Sequence, residues 1–334
     1  MEYRSAKGFT GWGQLGILFA FIGGGFIIAA IIQLVIGFSL IEKGLPPLQQ
    51  GDAMLKALFK PENLGWLQIS QVLSTFFLMF LPAVAYSLIC NGKHPLWLGF
   101  SKRINLWQLI LGVFIIYCAN VVAQPLQELS KLIIAHSPHF DRWAKGMEDA
   151  YNQQVLAMSN LKSWPSLVIA IIVIAFFPAL FEEMLFRGAI QNLLIRWWKK
   201  PFLAIIVTSL FFSFIHGEAY PFLSRAVLGF ALGMLYWQSR NIWVNVGAHF
   251  LNNAFYLVQL FVVARGHEKP DISKIDDHFP LWIGISSAVI FYFLFVIFNK
   301  ISTKNRNAIE MDEQKLWIKS TPQYNLAENL NPSN

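Results

Sequence analysis

The sequence predicts an all-α fold, a polytopic membrane bundle of about eight transmembrane helices, and three observations point there. The chain has 334 residues, 55% of them hydrophobic and only 13% charged, whereas a soluble domain carries about 25% charged residues. The apolar residues gather into runs near the ~20-residue length that crosses ~30 Å of hydrocarbon as a helix. No polar linker divides those runs, so residues 1–301 read as one bundle rather than several domains.

The runs cover approximately 13–39, 64–90, 106–125, 165–187, 202–217, 221–238, 242–263 and 280–299. Arg4 and Lys7 precede the first, which is too long for a signal-peptide core and lacks a small-residue cleavage site, so it is a retained membrane helix. Its Gly23-Gly24-Gly25 marks a place for another helix to approach closely. Pro46-Pro47 and Gln49-Gln50-Gly51 read as a loop. The connection from Pro125 to Pro165 is longer, and Arg142 to Met158 within it suits an amphipathic helix on the membrane surface. Residues 302–334 are polar and Asn-rich and read as a flexible cytoplasmic tail.

The net charge of +7 would suggest nucleic acid in a soluble protein. Here the basic residues flank apolar runs, so topology and anionic lipid headgroups account for them and no nucleic-acid partner is expected. Arg4, Lys7, Lys93, Lys102, Arg103, Arg196, Lys199, Lys200, Arg240, Lys300, Lys304 and Arg306 fall at one set of helix ends. The opposite loops hold Asp271, Asp276 and Asp277. This places both termini in the cytoplasm. Cys90 and Cys118 lie in or beside apolar runs and form no disulfide framework or C-x-x-C motif, so they are packing residues. His136, His139, His267 and His278 read as solvated loop residues, and Arg225 as a side chain that snorkels to the interface.

Against this background Phe181-Glu182-Glu183-Met184-Leu185-Phe186-Arg187 stands out, because a charge near the bilayer centre costs at least ~2.5–3.5 kcal/mol. Two other runs hold polar groups, His216 after Phe212, and His249 with Asn253. A short basic turn, Arg196 to Pro201, makes the fourth and fifth runs an antiparallel hairpin. Glu182 and His216 each lie seventeen residues from Lys199, and so at the same depth. His249 and Asn253, four apart, share a helix face. Glu183 and Arg187 have the spacing of an intrahelical ion pair, which leaves Glu182 to face His216; Asn252 points about 100° away from Asn253 and is secondary.

A carboxylate and an imidazole that share one water can deprotonate it. A His N–H and an Asn amide can stabilise an oxyanion. Glu182, His216, His249 and Asn253 therefore suffice for amide hydrolysis, with Glu183, Arg187 and Phe212 as structural support. The alternative is that Glu182, His216 and His249 bind zinc, since two His, one Glu and a water make a catalytic zinc set.

The order Glu182-Glu183-x-x-x-Arg187, Phe212-x-x-x-His216, His249-x-x-x-Asn253 on separate membrane helices resembles the CAAX-protease and bacteriocin-processing (Abi) family of intramembrane proteases. These are related to the Ras-converting CAAX endoprotease. The resemblance implies a membrane endopeptidase with its protease core at about 165–263. In it Glu182 and His216 activate water, His249 and Asn253 bind the oxyanion, and no metal is required, although members have been called metalloproteases. It implies a cavity open to the cytoplasm, a setting in the bacterial cytoplasmic membrane, and a lipidated or membrane-inserted peptide as substrate, beside membrane lipids as partners. The oligomeric state stays open. Two other readings stand beside it: a non-catalytic immunity-type protein on the same scaffold, and a proton-coupled transporter, since intramembrane Glu, His and Arg also mark proton pathways.

Overall fold

The computed structural model describes residues 3–158, 163–265 and 281–321. Over these residues the chain forms ten helices: α1 Gly11–Leu40, α2 Pro47–Leu58, α3 Pro61–Cys90, α4 Leu106–Ala135, α5 Pro138–Met158, α6 Trp164–Trp198, α7 Pro201–Ile215, α8 Phe222–Ser239, α9 Ile242–Arg265 and α10 Leu281–Ser320. The only β pairing among them is a bridge between Arg4 and Thr10. Each of the eight expected runs falls on a helix over most of its described length.

Six helices, α1, α3, α4, α6, α9 and α10, are long and apolar enough to cross a membrane, and the molecule is an integral multi-pass membrane protein. α7 is apolar but has only 15 residues, about 22 Å of helix against ~30 Å of hydrocarbon. It stops at His216, and Gly217 turns the chain with φ +75° before α8 begins at Phe222.

Three connections differ from expectation. The stretch read as a loop at 46–51 opens α2, because Pro47 occupies the first helical turn, where its missing N–H costs nothing. Met54 of α2 packs on Gly37 of α1, where a Cβ would meet Met54 Cβ at 3.1 Å. α4 continues through Pro125 to Ala135 instead of ending at 125, and α5 begins at Pro138, before Arg142. The polar segment after Ser302, expected to be loose, continues α10 to Ser320. It is held there by Asp312 and Glu313, described below. Residues 322–334 and the loop carrying Asp271, Asp276, Asp277, His267 and His278 lie outside the described residues.

α6 is the centre of the bundle. From Phe181 to Leu194 every residue is buried, so this stretch is covered all round. Met184–Gln191 within it is π-helical, as are Phe76–Phe80 and Ile171–Phe176, a wider turn found frequently at functional sites. Small residues admit its neighbours. Arg187 Nη2 and Gln191 Nε2 donate to the carbonyls of Gly229 and Gly233 on α8, at 3.0 and 2.9 Å. A Cβ on Gly233 would stand 2.7 Å from Ile205 Cγ2, and one on Gly188 would stand 2.8 Å from Leu98 O. Of Gly23-Gly24-Gly25, only Gly25 meets another helix, against the backbone of Phe77 on α3.

One end of the bundle collects basic residues around α10. Glu313 accepts from Arg240 at 2.6 Å and Arg196 at 3.3 Å, while Asp312 pairs with Arg103 at 3.0 Å. Lys199 and Arg240 close α6 and α8 in the left-handed conformation, φ 55° and 54°, so each chain turns straight into the next helix.

Candidate active site

Glu183 is the best-satisfied charge in the membrane core. Its carboxylate, fully buried, accepts from Arg187 Nη1 at 2.9 Å, from His249 Nδ1 at 2.9 Å and from Asn245 Nδ2 at 3.1 Å. Arg187, also fully buried, spans the gap to Gly229 O and lies over the Phe212 ring, 4.9 Å from its centroid. Burying a charge is tolerable only when it is paired and hydrogen-bonded, and this pair meets both conditions. The expected ion pair is present, but it does more than neutralise itself: it fixes a histidine on a second helix.

Glu182 differs in every respect. Its Oε2 is buried without a hydrogen-bond partner. It stands 3.9 Å from Nε2 of His216 and 3.9 Å from Nε2 of His249. Those imidazoles are oriented from behind. His216 Nδ1 lies 2.7 Å from the carbonyl of Phe212, so that nitrogen carries the proton. His249 Nδ1 donates to Glu183 in the same way. Each ring therefore turns Nε2 toward Glu182. Separations of 3.9 Å are too long for direct hydrogen bonds and suit a bridging water. Phe212 packs beside both rings, 4.7 Å from His216 and 6.3 Å from His249 between centroids.

Glu182, His216 and His249 thus converge from α6, the end of α7 and α9. Asn253, one turn beyond His249, is half-buried, and its side-chain oxygen lies 3.4 Å from Asn252 Nδ2. Asn252 is itself held by Asn120 of α4 at 2.5 Å. Among the described residues, no group of three His, Cys, Asp or Glu side chains is arranged as ligands for a metal ion.

Sequence reasoning missed two residues. Asn245 is buried, and its Nδ2 bridges Glu183 to the Leu232 carbonyl at 2.6 Å. The signal was present, since Asn245, His249 and Asn253 repeat every fourth residue along one face. Arg225, expected to snorkel, is instead largely buried and paired with Glu218 at 2.7 Å. The turn before α8 is covered by α5, where Tyr220 donates to Asp141 at 2.6 Å, and Glu218 in the same turn meets Arg225. Glu218 lies two residues beyond His216, which brings this second ion pair beside the site.

Residues 164–255 match the family model described as "Type II CAAX prenyl endopeptidase Rce1-like", a little over a quarter of the chain and the part containing every residue of the three motifs. The chain is 26% identical over 136 residues to the protein named "Putative membrane peptidase YdiL" of Bacillus subtilis strain 168. That match covers 40% of this chain and about half, 52%, of the relative. No solved structure matches.

Proposed function

We propose, from the Rce1-like character of residues 164–255, that this chain is an intramembrane endopeptidase. Its substrate class is a lipidated or membrane-inserted peptide, of CAAX type, and its setting is a bacterial cytoplasmic membrane with both termini in the cytoplasm. The observation that carries the reading is the unpartnered Glu182 Oε2 facing two Nε2 atoms at 3.9 Å.

A water bound between Glu182 and His216 loses a proton to this pair as its oxygen attacks the substrate carbonyl carbon. The carbonyl oxygen gains the negative charge, which His249 Nε2–H and the Asn253 amide stabilise. Because Nδ1 of His249 is committed to Glu183, donation from Nε2 requires the doubly protonated ring. The proton taken from water then passes to the departing amine as the C–N bond breaks. Phe212, Arg187, Glu183 and Asn245 hold the geometry and do not touch substrate. No step is assigned to a metal.

The test is purified full chain in lipid micelles with a quenched farnesylated CAAX-type peptide, with and without a chelator. Cleavage insensitive to chelator is the expected result. Loss of cleavage on chelation, restored by zinc, would overturn the metal-free mechanism, and absence of cleavage would count against a CAAX-type substrate.

A further inference from the structure

A second set of polar side chains lies beside the site and has no part in the chemistry above. α4 is otherwise largely apolar, yet Asn120, Gln124 and Gln127 recur on one face at helical spacing, all half-buried. Asn120 Nδ2 donates to Asn252 Oδ1 at 2.5 Å. Further along, Ser224 Oγ lies 3.4 Å from Gln127 Oε1, and the next residue is Arg225, held by Glu218. This seam crosses from α9 over α4 to the start of α8. Both ends join the site in sequence, since Asn252 precedes Asn253 and Glu218 follows His216 by two residues.

Arg225 supplies the independent sign of a ligand. Its Nη1 is buried and has no hydrogen-bond partner, although Nη2 is taken by Glu218. The guanidinium charge is already balanced, so the missing partner is a neutral acceptor rather than a second anion. A peptide bond can be attacked only where the backbone is unwound, and unwound backbone within a membrane has N–H and C=O groups that no water satisfies. Side-chain amides both donate and accept, so they match such a backbone whatever its side chains, whereas guanidinium matches carbonyl oxygens only.

We propose that Asn120, Asn252, Gln127 and Ser224, ending at Arg225, form a docking track for the extended backbone of the substrate, with Arg225 Nη1 taking one substrate carbonyl. The track rests on the peptidase reading. Its members are positioning residues that fix where the scissile bond falls, and they select an unwound segment rather than a particular side chain.

The experiment uses the full chain and the farnesylated CAAX-type peptide, together with analogues in which one backbone carbonyl at a time is a thioamide or one N–H is N-methylated. In wild type, one thioamide away from the scissile bond is expected to raise KM about tenfold with kcat unchanged, the size of one charge-assisted hydrogen bond. Arg225→Gln raises KM for the parent peptide by a similar factor and becomes indifferent to that thioamide. Asn120→Leu does the same for one N-methylation. If the penalties persist undiminished in the variants, the track is wrong. If a variant does not fold, the wild-type scan decides alone, because insensitivity at every position away from the scissile bond overturns it. Failure of wild type to cleave or bind the parent peptide is a separate result that strikes the peptidase reading itself.

Discussion

Two adjacent glutamates occupy opposite circumstances, and the difference makes separate predictions for each neighbour. Glu183 is saturated by Arg187, His249 and Asn245, so Arg187→Met leaves a buried carboxylate uncompensated. We expect a loss of about 3–5 kcal/mol, read as a lowered midpoint of thermal unfolding in micelles. Asn245→Leu removes one bond to Glu183 and the bond to Leu232 O. Its expected cost is about 1–3 kcal/mol, and kcat should fall more than KM changes, since the Glu183 carboxylate that backs His249 is held less firmly. The positions of Glu182 and His216 were legible in the sequence because equal distances from Lys199 fix equal depth. The roles of Asn245 and Arg225 were not, because each depends on which way a helix face turns and on where α7 stops. An ion-pair rule sees Glu183–Arg187; it does not see that the same carboxylate orients a histidine 66 residues away.

At the scale of helices, close approach is set by individual glycines rather than by glycine-rich stretches. Nothing lies within 4 Å of a Cβ on Gly24, whereas a Cβ on Gly25 would overlap the Phe77 carbonyl. Gly24→Ala should therefore leave thermal stability unchanged or slightly raised, by up to about 1 kcal/mol from helix propensity. Gly25→Ala should lower it by about 1–3 kcal/mol through overpacking. The polar half of α10 makes a different prediction. Burial of Glu313 would raise its carboxyl pKa, but Arg240 and Arg196 outweigh this and hold it below the ordinary value of 4.5. A carboxyl depressed in the folded state contributes stability that is present above that value and lost as pH falls below it. Docking of α10, followed by proteolysis of the 302–320 segment, should therefore hold at neutral pH and weaken below about pH 4.5, while Glu313→Gln removes that dependence. The length of α10 was hidden in the sequence because its polar half is anchored by Arg103, Arg196 and Arg240 from three distant turns, not by a hydrophobic pattern of its own.

For the whole molecule, the bundle sorts into a basic end and an opposite end, with Glu182 between them. The turn at Lys199–Lys200 belongs to the basic end, and Ser137, after the 30-residue α4 that starts just beyond Arg103, lies at the other. If the basic end is cytoplasmic, Lys200→Cys in intact cells should resist a membrane-impermeant thiol reagent and Ser137→Cys should react. The reverse labelling would invert the proposed topology. The order of the helices followed directly from the hydrophobic runs, but their number as membrane crossings did not: eight runs were expected to span, and six of the described helices are long and apolar enough to do so. What composition could not convey is that α7 ends after 15 residues and leaves His216 at its C-terminus, 3.9 Å from Glu182 of α6, which is itself 3.9 Å from His249 of α9.

The most direct test of the central claim is the cleavage rate of Glu182→Gln beside wild type on the farnesylated CAAX-type peptide, with peptide binding and thermal midpoint measured on the same samples. Gln keeps the shape of Glu182 but cannot take a proton from water. The account predicts a fall in kcat of at least about a hundredfold, in the range for loss of a general base, with binding and stability unchanged. A Glu182→Gln variant that cleaves the peptide at the wild-type rate would contradict it.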